Sequence, residues 1–540
     1  MPGIGGSAAP LIVHDSNGSA KSSRNSRVAR PIRDKTSNRA PAVSNHDVPA
    51  MASALYRLIQ LLALAVLLTA CSARRQAAPP AATAPETAPP GPTPVNIPAL
   101  IERGCFSCLK AALEAATEQG ATDHVFEASA LLTLRAKELG LPYDEWLATA
   151  TTAADANPAR AGLVEIIEAI PLDPLSGGRD EVFLRRAPSM RSSAATAWLG
   201  SLTTAPVSPA ARAYLELSMR CSGAGAPEKP AAFMSAEVLE IPLIKFRLGM
   251  CGNAYAKELR AVREADPDFV DVDYPLGRYA RQTLPYPDLD EAIRRFESAA
   301  AAFPASPAIA TSLGDTLESI EEWPSALRAY DAAIALVADH PDALRGRLVS
   351  LSNLNEHVAA IEVATRMMQG RWYLGDAYYW RAWNHLQLGN LDDARADGDR
   401  MKSLRVNSRV YLLSGLIDWR LRRLESAEVE FEQSIAMDAG QCEAATFLGA
   451  VRNERGKSPE ALAAFTHSKQ CWELTITLWR TSIEGIQSSD APETYKVREI
   501  ARRERGIAHA EKRRDEAANG IELLQKYLSA IQGPPSLRRP

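Results

Sequence analysis

Cysteine is the residue type whose spacing in this chain could carry chemistry. Seven are present: Cys71, Cys105, Cys108, Cys221, Cys251, Cys442 and Cys471. Cys105-Phe106-Ser107-Cys108 has the two-residue gap of redox and metal-binding pairs. A redox site of that kind needs a strand running into a helix, and this segment reads as helical throughout. A zinc site needs a second pair of ligands at a suitable distance, and none follows. Haem attachment needs a histidine directly after Cys108, where Leu109 stands. A structural disulfide or two buried thiols is the expectation. Cys442 opens one helix of an antiparallel pair and Cys471 closes the other, so a disulfide is open to them if their α-carbons come within about 7 Å. Cys221 and Cys251 are separated by nearly the same interval, which suggests a similar clamp. Six cysteines falling into three pairs suit an oxidising compartment.

Other chemistry fails on its requirements. Gly456-Lys457-Ser458 matches the end of a phosphate-binding loop, but Val451 stands where a glycine is needed and no strand precedes it. The eight histidines form no HExxH and no serine sits in GxSxG. No cofactor or metal is implied, and nothing points to an enzyme. A net charge of −4 gives no reason to expect a nucleic-acid partner. The 46 % apolar and 23 % charged fractions are globular values, and the wealth of alanine and leucine makes the composition helical.

Residues 51–71 read MASALYRLIQLLALAVLLTAC. Arg57 precedes an apolar run from Leu58 to Ala70, too short to span a bilayer and suited to a secretory signal. It ends in Leu68-Thr69-Ala70-Cys71, which resembles the lipobox of bacterial lipoproteins. That resemblance implies cleavage before Cys71, acylation of its thiol and new amino group, and a lipid bilayer as partner. Ser72, in place of aspartate, is similar to the pattern that sends such proteins to the outer membrane, with the folded part in the periplasm. The proline- and alanine-rich stretch through residue 97 is expected to be an extended tether. Residues 1–50 are polar, serine-rich and basic. They are expected to be disordered and not translated, with translation starting at Met51 and the signal peptide at 51–70.

The elements behind these residues are set by a repeat. One alanine recurs as Ala292, Ala326, Ala360, Ala394, Ala427 and Ala461, at intervals of 34, 34, 34, 33 and 34. Twelve residues before it stand Ala280, Gly314, Leu348, Ala382, Gly415 and Gly449; four after it stand Phe296, Tyr330, Ala364, Gly398, Phe431 and Phe465. Small residues let two helices approach, and an aromatic fills the space between neighbouring units. Gly389 and Gly456 occupy turns within a pair, and Pro304 and Pro341 separate pairs. Period and landmarks resemble the tetratricopeptide repeat, with departures at Leu348, Ala364 and Gly398. The resemblance implies an all-α fold, a right-handed α-α superhelix of antiparallel helix pairs, with six repeats over 273–471. Residues 98–272 are expected to be diverged helical hairpins of the same kind, with a loop near 172–186. Residues 472–530 are expected to form a polar capping hairpin, its two helices near 472–488 and 492–528, and 531–540 a loose tail.

In that family the first helix of each pair lines the inner groove. Here this gives Thr311, Asp315 and Glu318; Arg345, Val349 and Asn353; Tyr379, Trp383 and Gln387; and Leu412, Leu416, Trp419 and Arg420. Aromatic and aliphatic groups with flanking arginines are the types enriched at binding hot spots. Trp380 and Trp419 fit inter-repeat packing as well as the groove, whereas Tyr379 and Trp383 are expected to face it. The lysine–asparagine clamp for a terminal carboxylate, used by chaperone-binding members, is not seen. The resemblance implies a non-catalytic envelope scaffold whose partner is another envelope protein or peptide segment. The alternative is a glycan-capturing lipoprotein, which would need long insertions and exposed aromatic platforms.

Overall fold

A computed structural model describes residues 95–170, 200–221 and 234–532, apart from positions 156, 158, 159, 201, 203, 204, 252–255 and 405. The lipobox with Cys71, the tether, the loop expected near 172–186 and the tail from 533 lie outside the described residues. All the described helices belong to one compact unit, and no strand occurs among the described residues. None of these helices is long and apolar enough to cross a membrane.

The first half contains α1 (Ile97–Arg103), α2 (Phe106–Glu118), α3 (Thr122–Leu139), α4 (Asp144–Asp155), α5 (Ala161–Ala169), α6 (Pro209–Cys221), α7 (Ala236–Glu240), α8 (Pro242–Gly249) and α9 (Ala256–Ala265). The apolar faces of α1 to α8 close a core that runs from Ile97 to Ile309 and so enters the repeat region without a break, while Leu259 and Val262 of α9 join Phe246 and Phe269 in a second cluster. Helix α3 is buried on nearly all sides, including Arg135, Lys137 and Glu138. Buried charges need partners, and these have them. Arg135 donates to Glu138 (2.7 Å) and to Asp271; Glu138 also accepts from Tyr214 (2.6 Å) and Arg247 (2.9 Å). Asp271 accepts from the backbone N–H of Phe106 (2.7 Å), and the Arg135 guanidinium lies 3.4 Å from the centroid of the Phe246 ring. This hub ties α2, α3, α6 and α8 to the chain entering the first repeat.

The repeats follow as six helix pairs: α10 (Asp273–Gln282) with α11 (Leu289–Ala302), α12 (Pro307–Ser319) with α13 (Trp323–Leu336), and α14 (Pro341–Asn353) with α15 (His357–Gly370). Then come α16 (Leu374–Leu388) with α17 (Leu391–Leu404), α18 (Ser408–Arg420) with α19 (Leu424–Met437), and α20 (Cys442–Glu454) with α21 (Ser458–Ser488). The six register alanines all sit on second helices and are fully buried. Small-against-aromatic packing is explicit. A methyl group added at Gly314 would lie 2.6 Å from the Tyr330 ring, and one at Gly346 of the next pair would lie closer still, so that ring is held between two glycines. Gly415 and Phe431, and Gly449 and Phe465, repeat the arrangement. In the first pair Gly277, one turn before Ala280, meets Phe296.

The departures compensate. Leu348 and Ala364 are both fully buried in one core cluster with Trp380, so a large residue replaces the small one where a small one replaces the aromatic. Beside Gly398 the nearest side-chain atom is Cδ1 of Ile417 from the next pair. From the second pair onward, the turn inside each pair demands a left-handed residue. Glu321, Asn355, Gly389, Arg422 and Gly456 supply it, at φ of 66°, 64°, 80°, 61° and 75°. First helices start at capped ends. Ser306 and Asn407 accept from the N–H three residues on, and Pro307 and Pro341 occupy first-turn positions whose N–H needs no partner.

Two expectations for the end of the chain change. Residues 472–488 are not a separate helix: α21 runs unbroken through Cys471, because nothing in Ser468–Trp472 breaks it and Trp472 is fully buried. The last helix, α22 (Glu493–Gln532), folds antiparallel onto α21 and does more than cover an end. Its first turns touch the first two repeats: Tyr495 packs on Tyr286 and Arg498 pairs with Asp290 in the first, and Arg505 lies 3.5 Å from Glu321 in the second.

Candidate partner-binding groove

Successive first helices of the repeats pack on one another, while successive second helices are spaced more widely, so the first helices line the inner side of the curve. One register row on that side runs Thr311, Arg345, Tyr379, Leu412 and Thr446, one residue from each of five consecutive repeats.

The structure divides the expected groove residues. Arg345, Asn353, Tyr379, Leu412, Leu416 and Trp419 are half-buried and Arg420 is exposed. Trp383, expected in the groove, is only 7 % exposed and belongs to the core between pairs; Val349 is buried in the same cluster. Trp383 directly follows Ala382, at the small position where the two helices cross, and its indole is drawn into that packing. Trp380 is fully buried and meets Tyr379 edge-on, with centroids 5.7 Å apart. Trp419 packs on Phe447 of the next pair and donates from Nε1 to Glu454 (3.1 Å), so it bridges two repeats while keeping an exposed edge. The Asn353 amide turns inward to donate to the carbonyl of Val349 (2.9 Å).

The inner face alternates charge along its length. Asp315 and Glu318 both accept from the Tyr330 hydroxyl (2.9 and 2.8 Å), and Arg281 lies 3.3 Å from Asp315. Burial and these two carboxylates push the Tyr330 hydroxyl well above its ordinary range. Burial opposes the charge on Arg345, but Glu318 and Asp315 outweigh it and raise its pKa. Tyr379 is pushed up to about 12, by burial first, with Glu443 and Asp376 adding to it and Arg409 opposing. At the last repeat the chain itself enters this face: Arg513 of α22 lies 3.4 Å from Glu443 and 5.9 Å from the Phe447 ring. The apolar middle of this face is Tyr379, Leu412 and Leu416, between charged ends.

The cysteines form structural links. Cys105 and Cys108 are joined, both buried, with α-carbons 4.9 Å apart. Cys442 and Cys471 are joined with α-carbons 5.4 Å apart, fastening α20 to the middle of α21. Cys251 is disulfide-bonded, and the side chain of Cys221, its expected partner, lies outside the described residues. A cleft of about 510 Å³ in the first half is lined by Glu102, Asp123, His124, Glu127, Arg160 and Arg212. Several of its polar groups are engaged by the protein itself: Arg160 donates to Asp123 at 2.7 Å, Glu127 accepts from the N–H of Ser208, and Arg212 donates to the carbonyl of Ala205 (2.9 Å). Neither the cleft nor the Arg135 hub leaves a mark in the sequence pattern.

Stacked antiparallel helix pairs in constant register make this an all-α helical-repeat solenoid, the class in which an inner face is the working surface. Solved tetratricopeptide-repeat proteins are similar to it over part of its length. YrrB, described as having an unusual peptide-binding site, is 18 % identical over 33 % of this chain and 91 % of its own, with a TM-score of 0.29. A tetratricopeptide repeat protein of Parabacteroides merdae is 14 % identical over 49 % of this chain and 98 % of its own, at 0.34. PilW, a type IV pilus biogenesis factor, is 18 % identical over 36 % and 93 %, at 0.30. No protein-family model matches the chain, and no curated protein matches it.

Proposed function

We propose that this chain is a non-catalytic scaffold, anchored at the outer membrane through an acylated Cys71, that holds a segment of another envelope protein in its inner curve. The observation that carries this reading is the half-buried apolar row Tyr379, Leu412 and Leu416 on consecutive first helices, flanked by charge on both sides. Such a row offers apolar area at regular intervals to one extended or helical segment, and the charged flanks fix its register. The lipobox sequence supports the anchor, and the paired cysteines suit the oxidising side of a membrane.

A photo-reactive amino acid placed at position 379 or 412 should capture one and the same partner in intact cells. At Val429, exposed on the second helix α19, it should capture none. Leu412→Glu should abolish capture from position 379. Equal capture from position 429, or capture undiminished by Leu412→Glu, overturns the groove assignment. Cys71→Ala should remove metabolic labelling by palmitate and release the protein from the membrane fraction; retained label would remove the anchor from this reading.

A further inference from the structure

The hairpin α21–α22 is held very differently at its two ends. Its base is fixed. Trp472 is fully buried against Ala510 and meets His509 edge-on at 5.5 Å, and the Cys442–Cys471 disulfide fastens the base to α20; farther out, Gly506 admits the Trp479 ring where any methyl would collide with it, which joins the two helices into one arm. Beyond Cys471, α21 continues as unbroken helix to Ser488. At about 1.5 Å per residue the hairpin therefore overhangs the last repeat by roughly 25 Å.

The far end of that overhang returns to the start of the repeat array. Tyr495 packs on Tyr286 with ring centroids 5.2 Å apart, Arg498 pairs with Asp290, and Arg505 lies 3.5 Å from Glu321. Tyr286 and Asp290 lie at the turn inside the first pair, and Glu321 is the left-handed residue of the same turn in the second. Arg498 and Asp290 are separated by 208 residues, and the intervening chain is the repeat array itself. Each ion pair keeps one partner largely in water: the Arg505 side chain is 56 % exposed and that of Asp290 43 %, while Glu321 and Arg498 are each 22 % exposed. Exposed ion pairs are weak and screened by salt. A rigid arm with a weak, charged tip is a strap that can lift without unfolding its base.

We infer that the α21–α22 hairpin is a reversible strap that closes the path from the sixth repeat back to the first and second, using Tyr286, Asp290 and Glu321 as its catch. With the strap down, the repeats and the hairpin form a closed circuit of contacts. A partner segment with a folded domain on each side could then reach the inner curve only when the tip lifts. This gating rests on the inner curve being the partner site, whereas the closing of the strap follows from the contacts of Tyr495, Arg498 and Arg505.

Hydrogen exchange of the full chain tests it, followed by mass spectrometry on segments 283–291 and 493–505, with circular dichroism to verify helix content. In Arg498→Glu/Arg505→Glu, both segments should exchange together, roughly ten-fold faster than in the wild type, with helix content kept. High salt should produce the same paired change in the wild type. Adding Asp290→Arg and Glu321→Arg reverses both partners and should restore protection in both segments. Unchanged exchange in the double variant, a change confined to 493–505, or no restoration on the charge swap each overturns the strap.

Discussion

Burial decides what individual side chains can do here, and two of them make that measurable. Arg135 is fully buried, and its charge persists because Asp271, Tyr214 and Glu138 outweigh the cost of leaving water. Removing one member of such a set strands the others. Arg135→Met keeps most of the volume yet leaves Glu138 and Asp271 without their main cation. It should destabilise the fold by about 3–5 kcal/mol in denaturant unfolding, with fully native-like stability counting against the hub. Tyr379 illustrates a neutral group. Its pKa is raised from 10.0 to about 12, chiefly by burial. A folded-state value above the unfolded one means its contribution is complete below pH 10 and is lost as pH rises toward 12. Tyr379→Phe cannot ionise, so the variant should gain on the wild type in melting temperature across that window and differ little in slope below it. Parallel curves throughout would show that the hydroxyl already ionises normally.

At the scale of helices and turns, the repeat is a local device, and locality explains what could be read in advance. The glycine and the aromatic that meet within a pair sit on adjoining helices, as Gly314 and Tyr330 do, so their spacing survives in the sequence whatever the rest of the chain does. Gly314→Ala forces a methyl to 2.6 Å from the Tyr330 ring and should cost about 1–3 kcal/mol by overpacking. Arg422 carries the opposite expectation. It occupies a left-handed turn position that Gly389 and Gly456 fill without strain, and its ion pair with Glu454 leaves it 68 % exposed. Arg422→Gly should be neutral or stabilising by up to about 1 kcal/mol in the same unfolding assay. Pairings set by distant elements leave no comparable trace. Arg247 reaches Glu138 across 109 residues and Asp271 reaches Arg135 across 136, and no periodicity marks either. The place of Trp383 in the register fits both the groove and the core, and only the packing around Ala382 chooses between them.

For the molecule as a whole, the boundary near residue 272 separates two sequence patterns without separating two cores. The cluster that begins at Ile97 includes Tyr274, Phe296, Phe303 and Ile309 of the first two repeats. Phe106 meets Phe303 edge-on at 5.6 Å, and the Ser306 hydroxyl donates to the carbonyl of Leu139. Repeat arrays are stabilised by nearest-neighbour interfaces and need a polar end. Here the first repeat has no polar end, since its outer side is the core of the preceding half. A fragment beginning at Asp273 would expose those aromatic faces to water. It would also still bear the strap, whose catch lies on the same first repeat. Such a fragment should lose exchange protection in α11 and then in the first turns of α22, while α18 to α20 keep theirs, and it should self-associate where the full chain does not. Placing a polar capping repeat before Asp273 should recover both segments. If the bare fragment instead protected α11 as well as the full chain does, the shared core would not be what holds the first repeat, and the boundary at 272 would be a true domain border.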